Sequence, residues 1–354
     1  MNADKYVGLD VHAATTVIAV LDSSGELIQQ TIVPTKTEKL REFFTTLKGR
    51  VRVALEEGAH AAWLFDLLSP LVAEAVVANP RELPSRKGRN KTDKTDALLL
   101  ARLLRSGDLK GVYHGEHGTR TLKHLARHYG ALVDDCTSVM NRIKGIYRGL
   151  GIDCSGRGIY AAAQRERWLA KLENEGMRFR TSALLEQLDT LRGLQDKAKQ
   201  AMVREARRHR AFRVLSSVPG LGQIRVAQLI AVVDTPHRFR TKRQLWAYAG
   251  LAVTQHESGE YVLEGQRVRR ARGQVRTRGL NKNGNRRLKS LFKSAAATAS
   301  WQGPMGPWYA QQLSRGLAKQ LAQVSLARKI AAIALAVWKS EEAFDEKKVT
   351  GPAA

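Results

Sequence analysis

Tyr6-Val7-Gly8-Leu9-Asp10-Val11 is the stretch that decides the fold, an apolar run that carries one carboxylate. Its alternation and its β-branched residues are typical of a buried strand. The apolar runs at residues 15–21 and 27–33 predict two more strands, joined by a turn at Ser23-Ser24-Gly25. An ionised Asp in a sheet core is costly unless it is paired or binds a metal. The stretch therefore predicts a β-meander and acidic partners for Asp10 farther along the chain.

Charge is the strongest feature of the composition. The 354 residues include 59 Lys and Arg against 33 Asp and Glu, a formal net charge of +26. This length allows two or three domains, and an excess of this size without a lipid-binding motif indicates nucleic acid as the partner. Cys136 and Cys154 are too few for a zinc site or a disulfide framework, so we expect reduced thiols.

Targeting and membrane signals are missing from the pattern. The N-terminus lacks the basic, apolar and small-residue order of a signal peptide, and the longest apolar run, residues 330–338, is too short to span a bilayer. We therefore expect no membrane partner and a cytoplasmic protein.

The first hundred residues predict one α/β domain. After the meander we expect a helix at residues 38–47, a strand at 51–55, a helix at 61–68, a strand at 73–78 and a helix that begins near Thr95. The resulting order, βββαβαβα with a carboxylate in the first strand, is the pattern of an RNase H-like fold.

Three more carboxylates fit this fold. Glu56 closes the fourth strand, and Asp93 and Asp96 open the last helix on one face because they are three residues apart. The fourth strand lies beside the first in this topology, and strand parity favours Glu56 over the adjacent Glu57. Four carboxylates at one sheet edge favour Mg²⁺ or Mn²⁺, and paired ions clamp a phosphodiester. The alternatives are that Asp96 is a helix N-cap and that Asp93 is a solvated loop charge.

A polar, basic loop precedes these aspartates. Beside the carboxylates it would hold phosphates as their counter-charge, although an ordinary solvated loop has the same composition. Its candidate nucleic-acid-binding residues are Arg86, Lys87, Arg89 and Lys91.

From about Thr119 the apolar period becomes helical. It predicts one long basic amphipathic helix, a break at residues 149–158 and a second helical region at 161–208 with the apolar spacing of a coiled coil. Such helices pair with a partner or cross between protomers, or they form a hairpin within one chain. Both arrangements fit the sequence.

The last part of the chain predicts mainly helices. Val218-Pro219-Gly220-Leu221-Gly222 has the turn pattern of a helix-hairpin-helix module, in which backbone N–H groups meet a phosphate. We expect a helix at residues 238–251 that ends at Gly250. For the rest of the chain we expect closing helices within 312–338 and a frayed tail at 341–354.

Ser258 lies in a polar loop that precedes an arginine-rich stretch. A serine nucleophile needs an activated hydroxyl and positive charge near the phosphorus. Ser-Gly is also an ordinary turn pair, and the residues alone favour a turn serine without a catalytic role. The arginines that we expect to bind nucleic acid here are Arg267, Arg269, Arg270, Arg272, Arg286 and Arg287.

Taken together, these motifs resemble the DEDD-type insertion-sequence transposases, relatives of the Piv DNA invertase, some of which are bridge-RNA-guided recombinases. The resemblance covers nearly the whole chain. It is carried by Gly8-Leu9-Asp10, Glu56 with Gly58, Asn90-Lys91-Thr92-Asp93 with Asp96-Ala97, Val218-Pro219-Gly220-Leu221-Gly222, residues 247–251 and Glu257-Ser258-Gly259. Two departures are Glu57, where the family often has a small residue, and the long arginine-rich stretch at 262–279, a possible clamp on RNA or DNA.

The resemblance implies both an organisation and a mechanism. It implies a RuvC-like domain at residues 1–110, a helical coiled-coil connection at 111–211, a transposase domain at 212–300 and C-terminal helices with a tail at 301–354. It makes Ser258 the nucleophile of a covalent phosphoserine link. It places Asp10, Glu56, Asp93 and Asp96 around Mg²⁺ in a composite site with a serine of another protomer, in a dimer or tetramer. The implied partners are donor DNA, target DNA and a bridge RNA.

Two other functions fit the residues. A Holliday-junction type of nuclease would use the four carboxylates and a water, with Ser258 as a turn residue. A non-catalytic nucleic-acid-binding protein would use the acidic cluster for structure alone, and substitution of Asp10 would then change nothing.

Overall fold

The structure is a computed structural model that describes residues 4–80, 83–84, 92–109, 111–112, 119–256, 261–264, 267–270 and 276–346. The side chains of residues 254–278 lie outside this description. The chain divides into two compact units, Met1–Glu116 and His117–Ala354.

The first unit is a six-stranded sheet with helices on both faces. Its elements are β1 (Asp4–Val11), β2 (Thr15–Leu21), β3 (Leu27–Pro34), α1 (Thr37–Thr46), β4 (Arg50–Glu56), α2 (Ala61–Leu68), β5 (Glu74–Ala78), α3 (Asp93–Ser106) and β6 (Gly111–Val112). The strand order is β3-β2-β1-β4-β5-β6. The predicted meander and the predicted succession up to α3 are confirmed. The two-residue β6 was not predicted, because so short a strand carries no periodic pattern.

The direction of each strand follows from its neighbours. β2 is antiparallel to β1 and to β3, β4 is parallel to β1, β5 is parallel to β4, and β6 is antiparallel to β5. The expectation that the fourth strand lies beside the first is therefore confirmed.

Alternate residues of β1 and β4 face different helices. Val7, Leu9, Val53 and Leu55 are buried in one core with the apolar residues of α1 and α2. Gly8 faces α3: a Cβ there would lie 2.6 Å from the amide nitrogen of Ala101 and would overlap the carbonyl oxygen of Ala97. The backbone of α3 thus rests directly on β1.

The second unit begins with two long helices, α4 (Arg120–Gly149) and α6 (Glu175–Ala206), which pack along each other. Val139, Ile143 and Tyr147 of α4 share a buried cluster with Leu185 and Leu188 of α6. The hairpin within one chain is therefore the arrangement in the structure. Cys136 and Cys154 are buried free thiols, as expected.

The predicted helical region at 161–208 is interrupted, which corrects that prediction. Two short 3-10 turns at Gly158–Tyr160 and Ala162–Gln164 lead into α5 (Arg165–Leu169), and α6 begins only at Glu175. The interruption ends where the side chain of Asn174 accepts a hydrogen bond from the amide of Met177, an N-cap that fixes the start of α6.

The remaining elements surround a second core. They are α7 (Arg210–Leu215), α8 (Gln223–Val233), α9 (Lys242–Tyr248), β7 (Val253–His256), β8 (Tyr261–Glu264), β9 (Arg267–Arg270), β10 (Arg276–Leu280), α10 (Arg286–Ala299), α11 (Gly306–Ser314) and α12 (Lys319–Ser340). β7 pairs with β10 and β8 pairs with β9, both antiparallel. These four strands were not predicted, because each has only four or five residues and arginines interrupt the apolar alternation of β9 and β10.

Two predictions for this unit are wrong in their bounds. The helix expected at 238–251 is the shorter α9, because Thr241 caps its start and Pro236–Arg238 forms a separate 3-10 turn. The tail expected to fray from residue 341 is ordered at first: Arg210 pairs with Glu341 at 2.8 Å, and the amide of Phe344 donates to Ser217 Oγ at 2.8 Å.

One helix among the described residues, α12, is long and apolar enough to cross a membrane. Its Leu326, Ile330, Ala331 and Trp338 are buried in the second core, and α12 packs against α7, α9 and α10. Burial within the protein explains its apolar composition, so we interpret α12 as a core helix.

Candidate functional site

Asp10 lies near the end of β1, on the face that α3 covers. Its side chain is 22% exposed. This is the carboxylate that the sequence placed in the sheet, and the register of β1 with β2 sets it beside Val17.

The start of α3 carries the two aspartates. Thr92 is the N-cap: its Oγ1 accepts a hydrogen bond from the amide of Thr95, whose side chain accepts in return from the amide of Thr92. Asp93 and Asp96 therefore both lie in the first turn, where the helix dipole stabilises negative charge. The alternative of Asp96 as the N-cap is excluded, since Thr92 has that position.

His12 joins the aspartates and was missed by the sequence analysis. Its Nε2 lies 3.4 Å from Oδ2 of Asp10 and 3.4 Å from Oδ2 of Asp93. One ligand atom from each of these three residues lies within 4.8 Å of the others. The signal was present, since side chains two residues apart in a strand share one face of the sheet.

The pKa of Asp10 is shifted by its burial and by its charged neighbours. Burial raises the pKa of Asp10, His12 lowers it, and repulsion from Asp93 and then Asp96 raises it further. The structure thus brings Asp10 and Asp93 together with His12, and Asp96 lies close enough to raise the pKa of Asp10. A bound cation would offset this accumulated negative charge.

Glu56 is placed by register. Leu9 pairs with Leu55 in the parallel β1–β4 ladder, and both are buried toward α1 and α2. The next position on each strand, Asp10 and Glu56, therefore lies on the α3 face. Glu57 follows the end of β4 and donates its amide to the carbonyl of Ala78. The register agrees with Glu56, rather than Glu57, as the residue on the face of Asp10.

The donor set fits a divalent metal ion. Carboxylate oxygens are the ligands of Mg²⁺ and Mn²⁺, and one imidazole nitrogen is a ligand that Mn²⁺ accepts more readily than Mg²⁺ does. Asp10, His12 and Asp93 each offer one such ligand atom, and the three atoms lie within 4.8 Å of one another.

The described part of the structure does not include the side chains of the predicted nucleophile and of most of the predicted basic residues. Ser258, Arg86, Lys87, Arg89, Lys91 and Arg272 lie outside the described residues. Arg267, Arg269 and Arg270 belong to β9, of which only the backbone is described. Arg286 and Arg287 open α10 and are exposed, and the guanidinium of Arg287 lies against Gly130 of α4.

Close backbone packing holds the start of β7, the strand that precedes Ser258 in the chain. A Cβ on Gly284 would overlap the backbone of Gly250 and lie 3.1 Å from the carbonyl carbon of Ala249. The amide of Asn285 donates to the carbonyl of Tyr248 at 2.7 Å, and the amide of Asn281 donates to that of Ala252 at 2.8 Å. The start of β7 is thus fixed to the start of α10.

Family profiles match both units of the chain. A profile described as a transposase of the DEDD type, IS110, matches residues 7–151, and one described as the transposase IS116/IS110/IS902 family matches residues 212–278. The first match contains all four candidate carboxylates, and the second contains Ser258.

Relatives extend the likeness along the chain. A putative transposase, y4qE, of Sinorhizobium fredii is 25% identical over 86% of this chain and 74% of its own length. An uncharacterised 44.8 kDa protein of insertion element IS116 from Streptomyces clavuligerus is 24% identical over 96% of each chain. The transposase of insertion sequence IS1111A from Coxiella burnetii is 24% identical over 81% of this chain and 76% of its own length.

The acidic cluster lies within the first match, and both matches name one family of enzymes that act on DNA and whose type suggests a divalent metal. The chain belongs to the IS110 family of DEDD-type insertion-sequence transposases.

Proposed function

We propose that this transposase cuts and rejoins DNA at an insertion sequence through a covalent link to Ser258, with Mg²⁺ or Mn²⁺ held by Asp10, Glu56, Asp93 and Asp96. The observation that carries the proposal is the convergence of Asp10, Asp93 and the imidazole of His12 at the edge of the sheet. The strand order β3-β2-β1-β4-β5, with β4 parallel to β1, supports an RNase H-like, RuvC-like domain around this site.

The reaction divides into cleavage and rejoining. Ser258 Oγ attacks a DNA phosphorus; an O–P bond to serine forms while the bond to one bridging sugar oxygen breaks, and that oxygen leaves as a hydroxyl with the serine proton. A sugar hydroxyl of the exchanged strand then attacks the phosphoserine and releases the serine. A divalent ion, when bound, stabilises the charge on the phosphate. Asp10 and the first turn of α3 would hold that ion, and nearby arginines would hold the DNA.

The finer organisation is part of the same proposal. We propose the division into residues 1–110, 111–211, 212–300 and 301–354, and a dimer or tetramer in which one protomer supplies the carboxylates and another supplies Ser258. The wide separation of Ser258 from Asp10 in the sequence agrees with this assembly. The large positive charge suits two nucleic acids, donor and target DNA on one side and a bridge RNA on the other.

Trapping a covalent adduct tests the nucleophile. The full chain is incubated with DNA that spans the ends of its element, co-expressed RNA and Mg²⁺, then denatured and resolved by electrophoresis. We expect a protein–DNA adduct with the wild type and none with Ser258→Ala, because the hydroxyl forms the bond.

Ser300→Ala is the matched control, because Ser300 follows α10 and its hydroxyl donates to the carbonyl of Ala297 at 2.9 Å. An adduct that persists in Ser258→Ala contradicts this nucleophile. Strand cleavage in both proteins without an adduct favours the nuclease that uses water.

His12 gives a prediction about metal binding. We expect His12→Ala to weaken Mn²⁺ binding by about 10-fold or more and Mg²⁺ binding less, since a nitrogen ligand favours Mn²⁺. The measurement is the free Mn²⁺ signal in electron paramagnetic resonance, with Mg²⁺ as competitor.

His124→Ala is the control for His12→Ala, because His124 is an exposed residue of α4. Equal Mn²⁺ affinity of the His12→Ala variant and the wild type shows that His12 is not a ligand.

A further inference from the structure

The second unit carries a groove at the start of α8. It has a volume of about 850 Å³ and lies among α4, α6, α8 and α10. A smaller cavity of about 480 Å³ continues it toward α7 and shares Arg207, Gly222 and Gln223 with it. We call the two together the α8 groove.

Cationic side chains line this groove from three helices. Lys199, Arg204 and Arg207 come from the end of α6 or directly after it, Arg213 comes from α7, and Arg225 comes from the first turn of α8. None of the described residues that line either cavity is acidic. The groove is therefore a concentration of positive charge.

The contacts of these cations fix some of them and leave others at the surface. Arg225 is held in place, because its guanidinium donates to the carbonyl of Gly220 at 2.9 Å and to Ser294 Oγ at 3.0 Å. Lys199 pairs with Asp196 on the same helix at 3.0 Å. Arg204, Arg207 and Arg213 are exposed, and Arg207 donates to the side chain of Gln223 at 3.1 Å.

This chemistry selects a phosphodiester backbone. Guanidinium groups match phosphate oxygens in charge and geometry, and the amide of Gln223 and the hydroxyl of Ser294 add neutral polar groups. Only Tyr129 and Phe212 among the described lining residues are aromatic, and Phe212 is 9% exposed. Because proteins that bind single strands stack bases on aromatic side chains, the groove suits the outside of a duplex.

We propose that the α8 groove binds the sugar–phosphate backbone of duplex DNA without regard to sequence, a second DNA contact in addition to the catalytic site. The inference rests on the proposed function, in that a transposase must hold its DNA while strands are exchanged. Arg287, which lies against Gly130 beside Tyr129, extends the same basic surface along α10.

The test compares two triple variants of the full chain. Arg204→Gln with Arg207→Gln and Arg213→Gln removes three exposed charges of the groove. Arg142→Gln with Arg180→Gln and Lys197→Gln removes the same charge from exposed positions of α4 and α6 that are not among its lining. Binding to a fluorescein-labelled DNA duplex of random sequence, and to an RNA duplex of the same length, is measured by anisotropy between about 50 and 200 mM salt.

We expect the groove variant to bind DNA roughly 10- to 100-fold more weakly than the wild type. The magnitude of the slope of log affinity against log salt should decrease by about two to three, because each lost phosphate contact removes about 0.9 from it. The control variant keeps the wild-type slope.

Three results would overturn the proposal: unchanged DNA binding by the groove variant, an equal loss in the control variant, or a loss confined to the RNA duplex. Because this assay requires no cleavage, its outcome is independent of the adduct test. If the wild type forms the adduct and the groove variant binds DNA as tightly as the wild type, only the groove proposal is refuted. If the groove variant binds DNA more weakly and the wild type forms no adduct, only the nucleophile proposal is refuted.

Discussion

Asp10→Asn should abolish strand cleavage while the protein still folds and binds DNA. The amide keeps the shape of the side chain but removes the negative charge that a divalent ion needs at the centre of the site. Even partners outside the ligand sphere of a metal contribute 10- to 100-fold, so we expect a loss of at least about 100-fold in cleavage. The measurement is the rate of adduct or nick formation on supercoiled DNA at saturating Mg²⁺.

The matched control for this variant is Asp108→Asn. Asp108 is an exposed aspartate of the same unit, directly after the turn that ends α3, and its amide donates to the carbonyl of Leu103. We expect wild-type cleavage from it. Unchanged cleavage by Asp10→Asn would remove the carboxylates from the mechanism, whereas a purely nucleic-acid-binding protein would show no cleavage in either the variant or the wild type.

Gly8→Ala should destabilise the first unit far more than a single methyl group normally does. The new Cβ would overlap the carbonyl oxygen of Ala97 and lie 2.6 Å from the amide nitrogen of Ala101, so α3 would have to leave β1. Overpacking costs about 1–3 kcal/mol where side chains can adjust, and a helix backbone adjusts less, so we expect at least about 3 kcal/mol. Displacement of α3 would also carry Asp93 and Asp96 away from Asp10.

Hydrogen exchange of peptides from β1 and α3 in the full chain measures this loss locally, as faster exchange at fixed temperature. Gly58→Ala is the control in the same unit, because a Cβ on Gly58 would meet no atom within 4 Å. Replacement of glycine by alanine in an extended or helical segment otherwise tends to stabilise. Equal protection of α3 in Gly8→Ala and in the wild type would show that the contact between Gly8 and α3 is absent in solution.

The strands and helices of the first unit could be predicted from the periodicity of its apolar residues. Those of the arginine-rich second unit could be predicted less completely. β1 to β5 and α1 to α3 carry clear alternation or helical spacing, with Thr92 as a usable N-cap signal. In the second unit, β9 has Val268 among three arginines and β8 has only four residues, so neither shows a sustained apolar alternation. The order of residues 341–344 depends on Arg210 and Ser217, more than a hundred positions earlier in the chain.

The amino-acid sequence by itself determined the βββαβαβα succession, the candidate carboxylates Asp10, Glu56, Asp93 and Asp96, and the basic character that indicates nucleic acid, because composition and short-range periodicity record these properties. Only the tertiary structure decided that His12 lies beside Asp93, that Gly8 admits the backbone of α3, and that arginines of α6, α7 and α8 line one groove. Each of these depends on distances between residues far apart in the chain, and such distances are set by packing rather than by local sequence.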